Sequence, residues 1–242
     1  MKLSLIVPAY NEESTLEDLI DKVLTFKLYQ DFEKEIIIVN DGSKDKTWEV
    51  MLNLSKKYPN IKSFQNEKNS GKSQTVKNGI QYSTGDYLVI QDADLEYEPS
   101  DISKMLELLL LKKLDVVYGN RFGKRNKVIY LQNYVGNLLL SVISNIFTFP
   151  RIKTWIPDME VCYKLMKGDI AREIGKGIVS KSTFGLEPEI TAKLSRYKIK
   201  GSHLKFAVFP VSYYPRSIAE GKKMHAFRDG IKALKEIIKF NL

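Results

Sequence analysis

Two aspartates one residue apart, Asp92 and Asp94, are the residues of this chain whose types and spacing point most directly to chemistry. They follow an apolar run of strand length, Tyr87–Ile90, so both carboxylates fall where a buried strand would end. In an open α/β sheet the carboxyl ends of the strands are where ligands bind. Neighbouring carboxylates repel each other, and a divalent cation that carries phosphate oxygens would relieve the repulsion. The pattern predicts a Mg²⁺ or Mn²⁺ site for a phosphate-bearing ligand, with a loop of two solvated acids as the alternative.

The elements that must position this pair alternate between strand and helix. Segments with apolar residues at helical spacing, such as 16–24, separate short apolar runs. The runs that predict strands are residues 3–7, 35–39, 61–64, 87–90 and 115–119. Strands separated by helices form βαβ units, and continuous apolar strands are typical of sheets covered on both faces. The sequence thus predicts an α/β fold with a doubly wound, mostly parallel sheet flanked by helices.

Two common nucleotide-binding signatures are absent or incomplete. No G-x-G-x-x-G motif follows the first strand, which argues against a dinucleotide-binding Rossmann domain. Gly71-Lys72-Ser73 imitates the end of a P-loop, but Asn66 stands where that motif requires its first glycine. An ATPase or a kinase is therefore disfavoured.

The positive charge of the chain lies at its C-terminal end. The formal net charge is +9, and residues 193–242 alone hold 12 Lys and Arg against 3 Asp and Glu. This distribution favours an anionic partner, such as a lipid phosphate or an anionic membrane surface, with a merely solvated basic face as the alternative. No RNA-binding motif or aromatic–basic interleaving accompanies the charge, so we expect no nucleic-acid partner.

Cysteine content and apolar run lengths bear on the compartment. The single cysteine, Cys162, excludes an internal disulfide and a cysteine-based zinc cage, and it fits a reducing environment. The N-terminal apolar stretch is too short for a signal peptide, and no run approaches the roughly 18 apolar residues of a membrane span. We expect a single cytoplasmic domain over residues 1–242.

Three segments at predicted strand ends carry a family resemblance. They are residues 8–13 (Pro-Ala-Tyr-Asn-Glu-Glu), 39–43 (Val-Asn-Asp-Gly-Ser) and 85–94, which ends in Asp-Ala-Asp. Together they resemble the nucleotide-site signatures of family 2 glycosyltransferases. Further segments resemble the dolichyl-phosphate mannose and glucose synthase branch of that family, in chain order 119–122, 158–164, 184–189 and 215–223. One such motif would be weak evidence, but the ordered set covers most of the chain.

The resemblance implies a GT-A-type fold, a GDP- or UDP-hexose donor, a Mg²⁺ or Mn²⁺ cofactor and inverting transfer. The usual acceptor in that branch is a polyprenyl phosphate, with mannose or glucose as the sugar, which implies peripheral contact with the cytoplasmic face of an anionic membrane. Residues 1–120 would be the nucleotide-sugar-binding half, and residues 121–242 the acceptor-side half. Two alternatives stay open: a saccharide or protein acceptor with the same donor, and a non-catalytic anion-binding α/β module.

The resemblance also assigns roles to single residues. Asp92 and Asp94 would be the metal ligands, and Asp158, Asp94 and Arg121 the catalytic residues. The predicted donor-binding residues are Pro8, Tyr10, Asn11, Glu12, Asp41, Lys72, Gln91 and Asp92. The residues predicted to bind the acceptor phosphate are Arg216, Lys222 and Lys223.

Some of these roles have alternatives in the sequence. Inverting transfer to a hydroxyl needs a base that deprotonates the acceptor, and Glu160, Glu187 and Glu189 are candidates besides Asp158. A phosphate acceptor is already largely ionised, so Asp158 would then orient sugar hydroxyls or help to hold the metal. Asp41 precedes Gly42 and would otherwise form an Asx turn or cap the helix that begins near residue 47.

A long apolar-rich helix is predicted over residues 130–149. Its apolar face would consist of Leu131, Val135, Leu138, Leu139, Val142, Ile143 and Ile146, with Asn133, Asn137, Ser141 and Ser144 largely opposite. Two interpretations are open: a core or dimer helix, or an interfacial helix that covers a prenyl chain or dips into a membrane. The basic amphipathic stretch at residues 227–240 is open to the same two interpretations.

Overall fold

A central sheet organises the computed structural model, which describes residues 1–182, 184–216 and 226–242 and, for 226–228, the backbone alone. The strands are β1 (Lys2–Ala9), β2 (Glu33–Asn40), β3 (Ile61–Gln65), β4 (Tyr87–Ile90), β5 (Val116–Asn120), β6 (Lys164–Lys167), β7 (Lys198–Ile199), β8 (Ser202–His203) and β9 (Phe206–Pro210). Seven of them form one sheet in the order β3-β2-β1-β4-β6-β5-β9, and β7 and β8 pair as a separate hairpin. Strand β6 is antiparallel to both of its neighbours, whereas the other pairs in the sheet are parallel.

Helices connect most of these strands. They are α1 (Leu16–Thr25), α2 (Thr47–Lys57), α3 (Lys72–Tyr82), α4 (Asp101–Leu111), α5 (Leu131–Ile152), α6 (Gly168–Lys176), α7 (Leu186–Arg196) and α8 (Ala226–Asn241), with a short 3₁₀ helix at Tyr29–Asp31. The middle residues of β1 and β2 are fully buried without alternation, as expected for strands covered on both faces. The predicted α/β fold with a mostly parallel sheet is confirmed.

The two predicted halves of the chain share this sheet. Strands β6 and β9, from residues 121–242, add to β4 and β5 from residues 1–120. The sequence analysis did not predict β6 or β9. The edge that carries the site therefore contains segments from both halves.

The parallel register brings the predicted donor segments to one edge. Ala9 pairs with Asn40 at the ends of β1 and β2, and Ile6 pairs with Ile90 at the end of β4. Because the three strands are parallel, the residues that follow them lie at the same edge of the sheet.

Helix α5 buries much of its polar side and exposes much of its apolar side, although Leu140 and Ile152 are also buried. Its buried residues include Ser141, Ser144, Asn145 and Thr148, whereas Leu131, Leu139 and Ile146 are 58–70% exposed. Among the described residues, it is the one helix long and apolar enough, by length and composition alone, to cross a membrane. Its buried side packs against α7 and α8. The outward apolar row is thus not the core-facing side that a soluble helix usually presents.

Candidate active site at the carboxyl edge of the sheet

Two adjoining cavities open at the carboxyl edge of the sheet. The smaller has a volume of about 500 Å³ and the larger about 870 Å³. The residues that line both are Tyr10, Glu12, Lys72, Asp92 and Asp94. The aspartate pair singled out from the sequence therefore lies at the junction of the two cavities.

Asp41 lines the smaller cavity and fixes the loop that leads into α3. Its Oδ1 accepts hydrogen bonds from the Ser70 amide at 2.8 Å and from Asn66 Nδ2 at 2.9 Å, while Oδ2 accepts one from the Gly71 amide at 2.9 Å. The loop comes this close because Gly42 has φ +68°, and a Cβ there would lie 2.8 Å from the Asn69 nitrogen. Asp41 does not cap α2, and Oδ2 retains acceptor capacity for a ligand.

The other donor-binding predictions at the ends of β1 and β2 also reach the cavities. Pro8 lines the smaller cavity and Asn11 the larger one. Asn11 has φ +56°. The loop after β2 fixes its side chain, because the Lys44 amide donates a hydrogen bond to the Asn11 side-chain oxygen at 2.9 Å. Burial raises the pKa of Glu12, whose carboxylate accepts a hydrogen bond from Thr15.

Sequence reasoning missed Ser73 and the loop 180–182, which line the smaller cavity. Ser73 lies in the first turn of α3, and its buried hydroxyl has no hydrogen-bond partner among the described residues. The motif Gly71-Lys72-Ser73 could have indicated an anion-binding role for Ser73. It places a lysine at a helix N-terminus, and both features favour anions.

Each of the paired aspartates is bound by a cationic side chain from another element. Lys72 Nζ lies 2.8 Å from Asp92 and 3.2 Å from Glu187, and Arg216 Nη2 lies 3.3 Å from Asp94. Burial alone would raise the pKa of Asp92, but the Lys72 ammonium holds it below its usual range. Burial, followed by the charges of Asp92 and Glu96, raises the pKa of Asp94 to about 7.

These carboxylates fit a divalent cation by their chemistry. Asp94 is crowded by other acids, and a nearby positive charge would favour its ionised form. Carboxylate oxygens are the ligands that Mg²⁺ and Mn²⁺ prefer. In the part of the chain that the structure describes, no three His, Cys, Asp or Glu side chains converge into a complete protein cage. A bound ion would therefore take further ligands from a substrate or from water.

Gln91 precedes the aspartate pair but lies in the core. Its side chain is fully buried, accepting a hydrogen bond from the Tyr163 hydroxyl and donating one to the Asp92 carbonyl at 2.9 Å. It lines neither cavity. The structure thus places this predicted donor-binding residue behind Asp92, where it fixes the backbone of the pair.

Arg121 lines the larger cavity, and Asp158 binds Arg121 on the side away from the cavity. The Asp158 carboxylate is fully buried and accepts hydrogen bonds from the Arg121 amide at 3.0 Å, from Nε at 2.8 Å and from Nη2 at 2.7 Å. The guanidinium also stacks over the Tyr213 ring, 5.1 Å from its centre. Asp158 itself is absent from the cavity lining. Two of the three predicted catalytic residues therefore meet, and of these two only Arg121 faces the cavity.

The other acids considered from the sequence divide into cavity and structural groups. Glu160 and Glu187 line the larger cavity. Glu189 is fully buried and accepts hydrogen bonds from the amides of Val179 and Ser180, so it supports the loop beside the smaller cavity. Burial, followed by the charge of Glu187, raises the pKa of Glu160 to about 8.

The polar side of α5 holds the segment that carries Asp158 and Glu160. Asn145 donates to the Ile156 carbonyl at 2.7 Å and accepts from the Ile156 amide at 3.0 Å. Ser141 Oγ accepts from the Met159 amide at 2.9 Å. The segment has no regular hydrogen-bonding pattern of its own, so these side chains fix its path.

The larger cavity continues from the aspartates into the space between α5 and α8. Its far lining includes Ile129, Tyr130, Leu140, Phe184 and Ala233. Arg216 lines it as well, with its amide donating to Glu96 at 2.8 Å. Lys222 and Lys223, the other residues predicted to bind the acceptor phosphate, lie outside the described residues.

The fold of the chain is of the GT-A type. Solved structures with the same fold include the glucosyl-3-phosphoglycerate synthase of Mycobacterium tuberculosis in complex with Mn²⁺, UDP and phosphoglyceric acid, with a TM-score of 0.65 and 17% identity over 99% of this chain and 78% of that one. They also include residues 1–349 of S. aureus TarS, with a TM-score of 0.62 and 17% identity over 99% of this chain and 71% of that one.

The chain belongs to glycosyl transferase family 2, whose family description matches residues 4–175. It is 38% identical to the dolichol-phosphate mannosyltransferase of Pyrococcus furiosus over 53% of this chain and 35% of the relative. It is 28% identical to the dolichyl-phosphate beta-glucosyltransferase of Dictyostelium discoideum over 98% of this chain and 73% of the relative. The resemblance to the dolichyl-phosphate sugar synthase branch is confirmed, although the match spans only about a third of the P. furiosus protein.

Proposed function

We propose that the protein transfers a hexose, mannose or glucose, from GDP- or UDP-hexose to a polyprenyl phosphate, with inversion at the anomeric carbon. The observation that carries the proposal is the junction of two cavities at Asp92, Asp94 and Lys72. One cavity is lined by strand-end and loop residues, and the other continues between two helices. The relatives named as dolichyl-phosphate transferases support the lipid acceptor.

In this proposal the smaller cavity takes the nucleotide. Asp41 would accept hydrogen bonds from the base or the ribose through Oδ2, beside Pro8 and Tyr10. Lys72 would turn from the carboxylates towards the diphosphate. Asp94, and Asp92 directly or through water, would hold a Mg²⁺ or Mn²⁺ ion, whose positive charge would stabilise the leaving diphosphate.

The larger cavity would take the acceptor, with its phosphate beside Arg121 and Arg216. A phosphate oxygen attacks C1 of the hexose opposite the leaving group, the bond from C1 to the diphosphate oxygen breaks, and the nucleoside diphosphate leaves. No proton has to be removed from an ionised phosphate, so the reaction does not require Asp158 as a base. Asp158 acts by orienting Arg121.

Surface features support peripheral contact with an anionic membrane. The exposed apolar row of α5 includes Leu131, Leu139 and Ile146. On α8, Lys232 and Lys239 have side chains more than half exposed. Apolar residues beside basic ones are typical of helices that lie in the headgroup region.

A saccharide acceptor is the second candidate. Gln132, Asn133 and Asn137 line the larger cavity, and Asn133 Oδ1 is buried without a hydrogen-bond partner among the described residues. Amide side chains of this kind bind sugar hydroxyls.

A donor screen tests the proposal. The protein is incubated with radiolabelled GDP-mannose, GDP-glucose or UDP-glucose, a polyprenyl phosphate and Mn²⁺ or Mg²⁺, and the product is extracted into organic solvent. We expect label in the organic phase with one donor, and thermal stabilisation by GDP or UDP that requires the metal. In a parallel incubation with a saccharide acceptor in place of the polyprenyl phosphate, transfer of label to the saccharide alone would favour the second candidate.

A further inference from the structure

Glu160 has an unusual position in the larger cavity. Its Oε1 atom is buried and has no hydrogen-bond partner among the described residues, although the residue lines the cavity. A buried carboxylate without partners is costly, and in most proteins such a group is bonded or becomes neutral. The unfilled capacity of Oε1 therefore points towards a ligand in the cavity.

The charged groups that face Glu160 are already engaged with other partners. Arg121 is bound by Asp158, and Glu187 by Lys72. The buried Lys164 on β6 donates to the Val161 carbonyl. Among the residues that the structure describes, these neighbours leave Glu160 without a dedicated counter-charge. Burial and the charge of Glu187 raise its pKa to about 8, against the positive charges of Lys164 and Arg121.

We propose that Glu160 binds the acceptor phosphate as a neutral carboxylic acid, donating a hydrogen bond to a phosphate oxygen beside Arg121. This inference rests on the proposed function, since it assumes an acceptor that carries phosphate. An ionised Glu160 would repel the phosphate, whereas the neutral acid adds a donor without adding a charge. Asp158 and Glu160 then differ in role: the first positions Arg121 from behind, and the second touches the substrate.

Substitution by glutamine distinguishes a neutral donor from a catalytic base. Glu160→Gln keeps an N–H donor of similar size and cannot ionise. We expect Glu160→Gln to raise the acceptor KM far less than Glu160→Ala, which should raise it about tenfold to hundredfold, the loss expected for a hydrogen bond to a charged group. If the acceptor KM of Glu160→Gln rises as much as that of Glu160→Ala, or if Glu160→Ala has the wild-type KM, the inference is wrong.

The pH profile provides a second readout. Above about pH 8 the neutral fraction of Glu160 falls about tenfold per pH unit, so the wild-type acceptor KM should rise by the same factor. The KM of Glu160→Gln should lack this rise. The control is Glu173→Gln, which removes an exposed acid on α6 and should follow the wild-type profile. The same rise in Glu160→Gln as in wild type would overturn the inference.

Thermal stability tests the protonation state without any turnover. The pKa of Glu160 is raised from its ordinary 4.5 to about 8 in the folded protein, so its contribution to stability is complete below the unfolded value and is lost as the pH rises through about 8. The difference in Tm, that of Glu160→Gln minus that of wild type, should therefore increase between about pH 5 and pH 9. A constant difference, as expected for Glu173→Gln, would show that Glu160 is ionised throughout.

Binding of farnesyl phosphate separates this inference from the proposed function. If wild type transfers no sugar to any polyprenyl phosphate, the proposed function fails, and calorimetric titration with farnesyl phosphate then decides the role of Glu160. Weaker binding to Glu160→Ala but not to Glu160→Gln supports the inference. Equal binding to all three proteins overturns it.

Discussion

Replacement of Asp158 tests how Arg121 is held at the larger cavity. The Asp158 carboxylate accepts three hydrogen bonds from Arg121, two of them from the guanidinium at 2.8 and 2.7 Å. Neither side chain is well solvated, with 0% of Asp158 and 12% of Arg121 exposed. In Asp158→Asn one oxygen becomes an NH₂ group, which faces a guanidinium N–H donor. The charge is lost and one hydrogen bond becomes a repulsive contact.

The expected cost follows from the burial of this pair. Removing one partner of a buried ion pair costs about 3–5 kcal/mol, which we expect for Asp158→Ala. A domain of this size loses about 2–4 °C of Tm per kcal/mol, so Asp158→Ala should lower Tm by about 6–20 °C. Asp158→Asn retains one acceptor oxygen and should lie at the lower end of this range. Loss of Arg121 orientation should also reduce turnover on the order of a hundredfold.

Asp115→Asn is the matched control for stability. Asp115 lies just before β5, at the end opposite Arg121, and accepts from Lys167 Nζ at 2.6 Å and from the Lys205 amide at 2.8 Å. This variant should lose stability but keep turnover. Melting curves and initial rates, both measured well below the Tm of each variant, give the comparison.

A double-mutant cycle with Arg121→Ala tests the positioning role of Asp158. If Asp158 acts through Arg121, its replacement should have little further effect on turnover once Arg121 is gone. A full additional loss in the double mutant would identify Asp158 as a base in its own right. Turnover of Asp158→Asn equal to that of Asp115→Asn would show that the pair matters for folding alone.

Two further predictions concern the cations and anions at the cavity junction. Asp94→Asn should reduce turnover by at least about two powers of ten and abolish the metal-dependent thermal stabilisation by GDP or UDP; full activity of this variant in excess EDTA would contradict the metal role. Arg216→Ala should raise the acceptor KM and leave nucleotide affinity nearly unchanged, while the wild-type protein floats with anionic liposomes at low salt and less at high salt, since each surface Lys or Arg contributes about 1 kcal/mol near such a bilayer. If Arg216→Ala weakened nucleotide binding alone and liposomes never retained the protein, the saccharide acceptor would lead.

The location of the predicted donor residues at one edge of the sheet could be derived from the sequence. Asn11, Asp41 and Asp92 each follow a short apolar run, and parallel strands bring such positions to one edge. Gln91, which the resemblance assigned to donor binding, lines neither cavity, because adjacent residues at a strand end point to opposite sides. The alternation that places Asp92 towards the ligand directs Gln91 into the core, onto Tyr163.

The acceptor side could not be predicted to the same depth. Asp158 and Glu160 lie in an irregular segment, where no periodicity tells which side chain faces outwards. Their orientations depend on contacts distant in sequence, chiefly the Arg121 guanidinium and the hydrogen bonds from Asn145 to Ile156. Strand β6 was missed because Lys164–Lys167 is short and begins and ends with lysine, and its burial depends on its place between β4 and β5.

Helix α5 shows why a hydrophobic pattern alone does not identify the buried side of a helix. Its polar side faces inwards because the segment 156–160 has no sheet or helix to satisfy its backbone, and Ser141 and Asn145 supply those hydrogen bonds. Because the polar side of α5 contacts the segment 156–160, the apolar row on the opposite side faces outwards. No described residue covers Leu139 or Ile146, which are 58% and 66% exposed. In the proposed reaction the helix would therefore have two roles, since one side would position residues around the acceptor phosphate and the other would offer an apolar surface to a membrane that holds the lipid acceptor.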